Sequence, residues 1–150
     1  MENTPEEWLK KSISDGYINY LEYNKFSDPA IIGAGAFGKV FKCEWKDCEL
    51  MVAFKCLKID TNLRLDEKII KDLLKRRVSN HPNIISFYGV TKNCDGHYLM
   101  VMQYANEETL REYLKAEFDN LQWEDKLHIA REIHSDFYSY MIIILFIETW

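Results

Sequence analysis

The sequence predicts an α+β fold: a five-stranded antiparallel sheet with one helix packed on it, followed by short helices. Three observations carry this. Runs rich in Val, Ile, Phe and Trp give way to a 3.6-residue apolar period and then return. Those β-type runs are separated by glycines or short polar turns, which join antiparallel neighbours. With 47% hydrophobic and 14% aromatic residues in 150, the chain is rich enough in large apolar groups to bury one compact core.

The elements follow in order. "EEWLKKSI", Glu6 to Ile13, sets Trp8, Leu9 and Ile13 at helical spacing and predicts a short amphipathic lead-in. After Pro29, "AIIGAG", "KVFKCEW" and "LMVAFKCL" read as three strands, the last two joined by the polar turn "KDCE". From Leu63 the period becomes helical through Ile69, Ile70, Leu73 and Leu74, and the basic end at Lys75, Arg76 and Arg77 suits a helix C-terminus. That helix stops by "SNHP", because the residue before Pro82 is pushed out of the α region. "NIISFYGV" and "HYLMVMQYA" are two further strands around the turn "KNCDG". Asn106 is the expected cap of a short helix with Glu107 and Glu108 in its first turn. Asp119, with Gln122 three residues on, is expected to introduce a last helix carrying Trp123, Leu127 and Ala130 on one stripe.

Charge and cysteine usage narrow the function. A net charge of −5, with both signs interspersed, offers no basic stripe for a phosphate backbone, so nucleic acid is not an expected partner. "ENTPEEWLKK" has neither the basic start nor the apolar run of a secretory signal, which predicts a cytoplasmic chain. Cys43, Cys48, Cys56 and Cys94 form no C-x-x-C pair and no zinc spacing with histidine, so they are expected to be reduced thiols and no metal ligand is assigned.

The stretch that carries chemistry is "GAGAFGKV", Gly33 to Val40. As a Walker loop it supplies Gly33, Gly38 and Lys39, but Val40 stands where a metal-binding hydroxyl is needed. As a dinucleotide fingerprint it supplies Gly33, Gly35 and Gly38, but that motif must open a helix, whereas "VFKCEW" reads as a strand. The remaining device is a glycine-rich hairpin, G-x-G-x-x-G-x-V, folded over nucleotide phosphates; Gly33, Gly35, Gly38 and Val40 fill every fixed position. A hairpin that merely needs glycine at its turn is the plainer alternative. The next strand weighs against it. In "VAFK", Val52 to Lys55, the two-residue period places Ala53 and Lys55 on one face, and an inward lysine is costly to bury without an anionic partner.

The order of glycine hairpin, "VAFK", helix, "HPNIISFYGV" and "YLMVMQYA" resembles the N-terminal lobe of a protein kinase from about Phe26 to Ile133, and its wording is most similar to the tyrosine-kinase-like group. The resemblance implies ATP as ligand. It implies Ile32, Val40 and Ala53 roofing the adenine, Phe37 at the hairpin tip, and Lys55 as the catalytic-site lysine on the α- and β-phosphates. It also implies Met102 as the gatekeeper behind the base, the Gln103 carbonyl and Ala105 amide reading the adenine edge, and Thr109 reaching the ribose. For Ile32, Val40, Ala53 and Met102 taken singly, plain core packing is the alternative.

Three features depart from the family. The helix glutamate that should pair with Lys55 has no match: counting back from His81 lands on Lys71 or Asp72, and Glu67 lies too far toward the N-terminus. "HSDF", His134 to Phe137, fits neither H-R-D-x-x-x-x-N, having Ser135 for Arg and Met141 for Asn, nor D-F-G, having Tyr138 for Gly. The Mg2+ expected for the family therefore has no recognisable ligands in this sequence. "MIIILFI", Met141 to Ile147, is too short to span a bilayer and has the composition of an aggregation-prone strand. The expected organisation is a helical lead-in over 1–25, the kinase-like lobe over 26–105, the first helices of a truncated second lobe over 106–137, and an apolar tail over 138–150. Three readings stay open: an ATP-binding kinase lobe without transfer activity of its own, a non-catalytic module that docks a protein partner, and a truncated product that does not fold stably because surface normally covered by the second lobe is exposed.

Overall fold

A computed structural model describes residues 4–35, 38–56, 85–106 and 109–135. The helix expected from Leu63, the HPN turn, Ala36 and Phe37 at the hairpin tip, and the apolar tail lie outside the described residues. The first element is helix α1, Pro5–Ser14, started by a capping box in which the Glu7 amide donates to Thr4 Oγ1 and the Thr4 amide donates to Glu7 Oε2. Pro5 sits in the first turn, where a missing N–H leaves no bond unmade.

The sheet has five strands: β1 (Ala30–Gly35), β2 (Gly38–Trp45), β3 (Leu50–Cys56), β4 (Phe87–Lys92) and β5 (Tyr98–Gln103). Their spatial order is β1-β2-β3-β5-β4, and every pair is antiparallel. Register fixes the faces, because directly opposed residues share one. Val40 lies opposite Lys55, Lys55 opposite Met100, and Met100 opposite Val90; two residues along, Lys42 lies opposite Ala53 and Ala53 opposite Met102. All of these side chains therefore stand on one face.

Each face carries a core. On the opposite face Phe26, Cys43, Val52, Phe54, Leu99 and Val101 are buried together, with Trp45 and Tyr88 against them. Phe26 meets Phe54 edge-on at 4.8 Å, a favoured arrangement for the ring quadrupoles. On the Lys55 face, Leu9 from α1 and Ile18 are buried with Val90, Tyr98 and Met100, while Trp8, Ile13, Phe87 and Met102 pack against that cluster. The amphipathic stripe seen in the sequence is thus used against the sheet itself.

The segment after α1 then runs along β4, one of the two edge strands. The Val90 amide donates to the Asn19 carbonyl (2.9 Å), the Leu21 amide donates to the Val90 carbonyl (2.8 Å), and Asn19 Nδ2 donates to the Tyr88 carbonyl (3.3 Å). Edge groups that would otherwise invite another chain are paired within this one. The approach is close enough to require glycine at position 89. Its φ is +151°, and a Cβ there would collide with the Asn19 carbonyl oxygen.

Three boundaries differ from the sequence reading. The fourth strand starts at Phe87, with Ile85 and Ser86 outside it, because Ser86 meets the Gln103 side chain: the Ser86 amide donates to Gln103 Oε1 (3.1 Å) while the Gln103 amide donates to the Ser86 carbonyl (2.8 Å). The helix expected to start at Asn106 is α2, Leu110–Glu117, capped by Thr109, because Thr109 and Glu112 form a capping box that Asn106 cannot. The last helix, α3 (Trp123–Ser135), is not introduced by Asp119; the Gln122 amide donates to Asp125 Oδ2 (3.0 Å) at its start. Trp123 is 72% exposed and Ala130 is exposed too, so the expected stripe is buried only in part, at Leu127.

Candidate functional site

The site is a property of register. β1 and β2 close a hairpin in which Gly35 opposes Gly38 and Gly33 opposes Val40. Gly38 has φ +113°, a conformation that side chains rarely adopt. A shift between Ile31 and Gly33 places Ile32 at an irregularity, 37% exposed, whereas Val40 and Ala53 are buried. Of the three expected roof residues, Val40 and Ala53 therefore lie together under the sheet, and Ile32 is the more open one.

β3 is buried from Val52 to Lys55, so both of its faces are covered. Lys55 is 5% exposed, yet stands beside Val40 and Met100. Burying an ammonium to this extent is favourable only if an anion or a set of acceptors meets it. The segment expected to carry Glu67 and Asp72 lies outside the described residues. On β5, Met102 is half-buried opposite Ala53, and Gln103 ends the strand. Tyr104 and Ala105 follow in a segment that is neither helix nor strand.

Two features here escaped the sequence reading. The Gln103 side chain accepts from the Ser86 amide, so it holds the strand end in place while its main chain continues to Ala105. The only signal was a long polar residue closing an apolar run. The second is Lys42, whose ammonium lies 4.6 Å from the centroid of the Tyr104 ring, tying β2 to the segment after β5 by a cation–π contact. No sequence spacing predicts that contact, since it needs the β2–β3–β5 register.

Thr109, expected at the ribose, has its hydroxyl engaged locally: Oγ1 donates to Glu112 Oε2 (2.8 Å) and accepts from the Glu112 amide (3.2 Å). The Thr109 amide, which donates to Glu112 Oε2 (3.0 Å), holds the Glu112 carboxyl below its ordinary pKa, and the hydroxyl bond to the same oxygen contributes second. Val40, Ala53, Lys55 and Met102 are brought together on one sheet face, Gly33, Gly35 and Gly38 lie at the hairpin, Gln103 and Ala105 lie at the strand end, and Phe37 lies outside the described residues. Among the described residues no group of three or more His, Cys, Asp or Glu could hold a metal ion. Cys43, Cys48, Cys56 and Cys94 are free thiols. Among the described residues no helix is long and apolar enough to cross a membrane.

A five-stranded antiparallel sheet with a glycine hairpin on its first two strands and a buried lysine on its third defines the class, that of kinase-type lobes. The model of the family "protein tyrosine and serine/threonine kinase" matches residues 28–143, well over half of the chain. This chain belongs to the protein kinase family. Among curated proteins it is 29% identical over 115 residues to the probable serine/threonine-protein kinase kinX of Dictyostelium discoideum, a stretch covering 75% of this chain and 10% of that protein. It is 33% identical over 107 residues to the leaf rust 10 disease-resistance locus receptor-like protein kinase-like 1.4 of Arabidopsis thaliana, covering 69% of this chain and 16% of the relative. It is also 36% identical over 99 residues to human serine/threonine-protein kinase ULK1, covering 61% and 9%. The chain spans only a small part of the length of these relatives.

Proposed function

We propose that this lobe binds ATP on the Lys55 face, beneath the glycine hairpin, and that these 150 residues by themselves do not transfer phosphate. The observation that carries the reading is the buried Lys55 ammonium sharing a face with Val40, Ala53 and Met102, beside a hairpin with Gly33, Gly35 and Gly38. Lys55 would meet the α- and β-phosphates, Val40 and Ala53 the adenine face, Met102 the rear of the base, and the Gln103 carbonyl and Ala105 amide its edge. Transfer needs a general base and metal ligands, and the sequence offers neither motif in "HSDF". In keeping with the wording of "HPNIISFYGV", we place the lobe nearest the tyrosine-kinase-like group.

Thermal melting with and without magnesium ATP tests the reading. At a ligand concentration one hundred times Kd, linkage stabilises by about 2.7 kcal/mol, which at about 2–4 °C per kcal/mol for a chain of this size is a rise of about 5–10 °C. Lys55→Met is expected to lose most of that rise. Equal melting temperatures with and without nucleotide in the unsubstituted chain would refute the proposal. A second reading, a module that docks a protein partner, draws on the exposed Leu110, Phe118 and Trp123 of the α2–α3 region. It gains ground only if nucleotide leaves the melt unchanged.

A further inference from the structure

Residues 5–26 precede the family match, which starts at residue 28, yet they are built into both sides of the sheet. Phe26 enters the aromatic core on one face, and Leu9 and Ile18 enter the core on the other. The second of these contacts concerns the site. Leu9 and Ile18 are buried with Met100, the residue opposite Lys55, and Met102, the residue opposite Ala53, packs on the same cluster. The strap that delivers them is fixed along β4 by the Asn19 and Leu21 backbone bonds, and Gly89 lets it approach.

We propose that Leu9 and Ile18 are positioning residues that set the depth of Met102, so that a segment outside the family match fixes the rear wall of the candidate nucleotide cleft. The physical reason is close packing. A methionine has three rotatable side-chain bonds and takes the shape its neighbours leave it. Removing volume from the cluster behind Met102 therefore opens space into which it can withdraw, whereas a rigid neighbour would leave a fixed void. The expected consequence is altered selectivity toward bulk on the base, at little change in the phosphate contacts of Lys55. This last consequence rests on the nucleotide reading above; the packing consequence does not.

The experiment uses the full 150-residue chain labelled at its methionine methyl groups, with Leu9→Ala as the probe. Two readouts separate the claims. By NMR, the Met100 and Met102 methyl resonances are expected to move, while that of Met51, exposed near the start of β3, stays in place. By titration calorimetry, affinity for ADP bearing a benzyl group on its adenine amino nitrogen is expected to rise relative to plain ADP by about tenfold, the scale set by small volume changes in an apolar pocket. Leu9→Met, which restores most of the volume, is expected to bring both readouts back. If Leu9→Ala does not fold, Ile18→Val removes one methyl from the same cluster and is expected to show the same changes, smaller.

A fall in melting temperature with an unmoved Met102 methyl and an unchanged affinity ratio would overturn the proposal, leaving the strap a purely structural brace. Movement of the Met102 methyl with no ADP binding by any variant would support the packing link and refute the nucleotide reading instead.

Discussion

Replacing Gly89 by alanine tests the close backbone approach between β4 and the segment after α1. Its φ is +151°, and three Asn19 atoms crowd the position of an added Cβ: the carbonyl oxygen it would strike, and the Cβ and carbonyl carbon at 3.0 and 3.1 Å. The conformation alone strains an alanine by about 1–3 kcal/mol. Relief of the collision requires the strap to move off β4, which breaks the Val90–Asn19 and Leu21–Val90 backbone bonds at about 1 kcal/mol each. The sum is about 3–5 kcal/mol, or about 6–20 °C in melting temperature at about 2–4 °C per kcal/mol for a chain of this size. Gly16→Ala is the matched control, since Gly16 also has a positive φ, +73°, but nothing lies within 4 Å of its added Cβ. Urea unfolding of the two variants separates collision from conformational strain, and hydrogen exchange at the Leu21 and Val90 amides locates the damage. If Gly89→Ala loses no more stability than Gly16→Ala and the Leu21 amide stays protected, the argument from close approach is wrong.

Other consequences follow from single residues. Phe54, fully buried and in ring contact with Phe26 and Tyr23, is expected to cost about 3–5 kcal/mol when cut to alanine, read by the urea midpoint. Burial pushes the Cys43 thiol from 9.0 up to about 12, so iodoacetamide at pH 8 should label the exposed Cys48 and Cys94 well before Cys43, as mass spectrometry will show. Because the folded chain holds that proton and the unfolded chain releases it, the Cys43 contribution to stability is constant below pH 9 and declines toward about 12; Cys43→Ala should decline less over that range, although the raised Tyr23, Tyr88, Lys10 and Lys25 give both chains a residual slope. Thr109→Ala should lose about 1 kcal/mol of α2 capping and Thr109→Ser little; a loss of ATP affinity in the alanine variant alone, by calorimetry, would assign the hydroxyl to the ribose as well.

Much of the sheet could be read from the chain because its signals are local. Glycine positions, polar turns and two-residue periods mark β1, β2, β3 and β5 to within a residue or two. The errors fall where a side chain replaces a backbone partner. Gln103 stands in for a ladder bond to Ser86 and shortens β4; Thr109 and Asp125, not Asn106 and Asp119, supply the helix starts. Several residues compete for each of these roles, and geometry decides. The strap was visible only as the stripe of Trp8, Leu9 and Ile13, since periodicity reports that a face is apolar without saying what it meets. The Lys42–Tyr104 contact was beyond reach for a similar reason, as it joins residues far apart in sequence through register alone.

That register is itself guarded by the residue central to the site. The pairs joining β2, β3 and β5 run without a break, Val40–Lys55–Met100 and Lys42–Ala53–Met102, while the shifts occur on the outer strands, between Ile31 and Gly33 and between Phe87 and Gly89. The outer strands thus take up irregularity that would otherwise disturb the inner three. A slip of β3 by one residue would turn Phe54 toward the hairpin face and drive the Lys55 ammonium among Phe26, Trp45 and Tyr88, where an unpaired charge is strongly penalised. Lys55 therefore excludes the alternative register by its charge and Phe54 by its bulk. The same alternation that makes the candidate site possible also makes its misfolded counterpart costly.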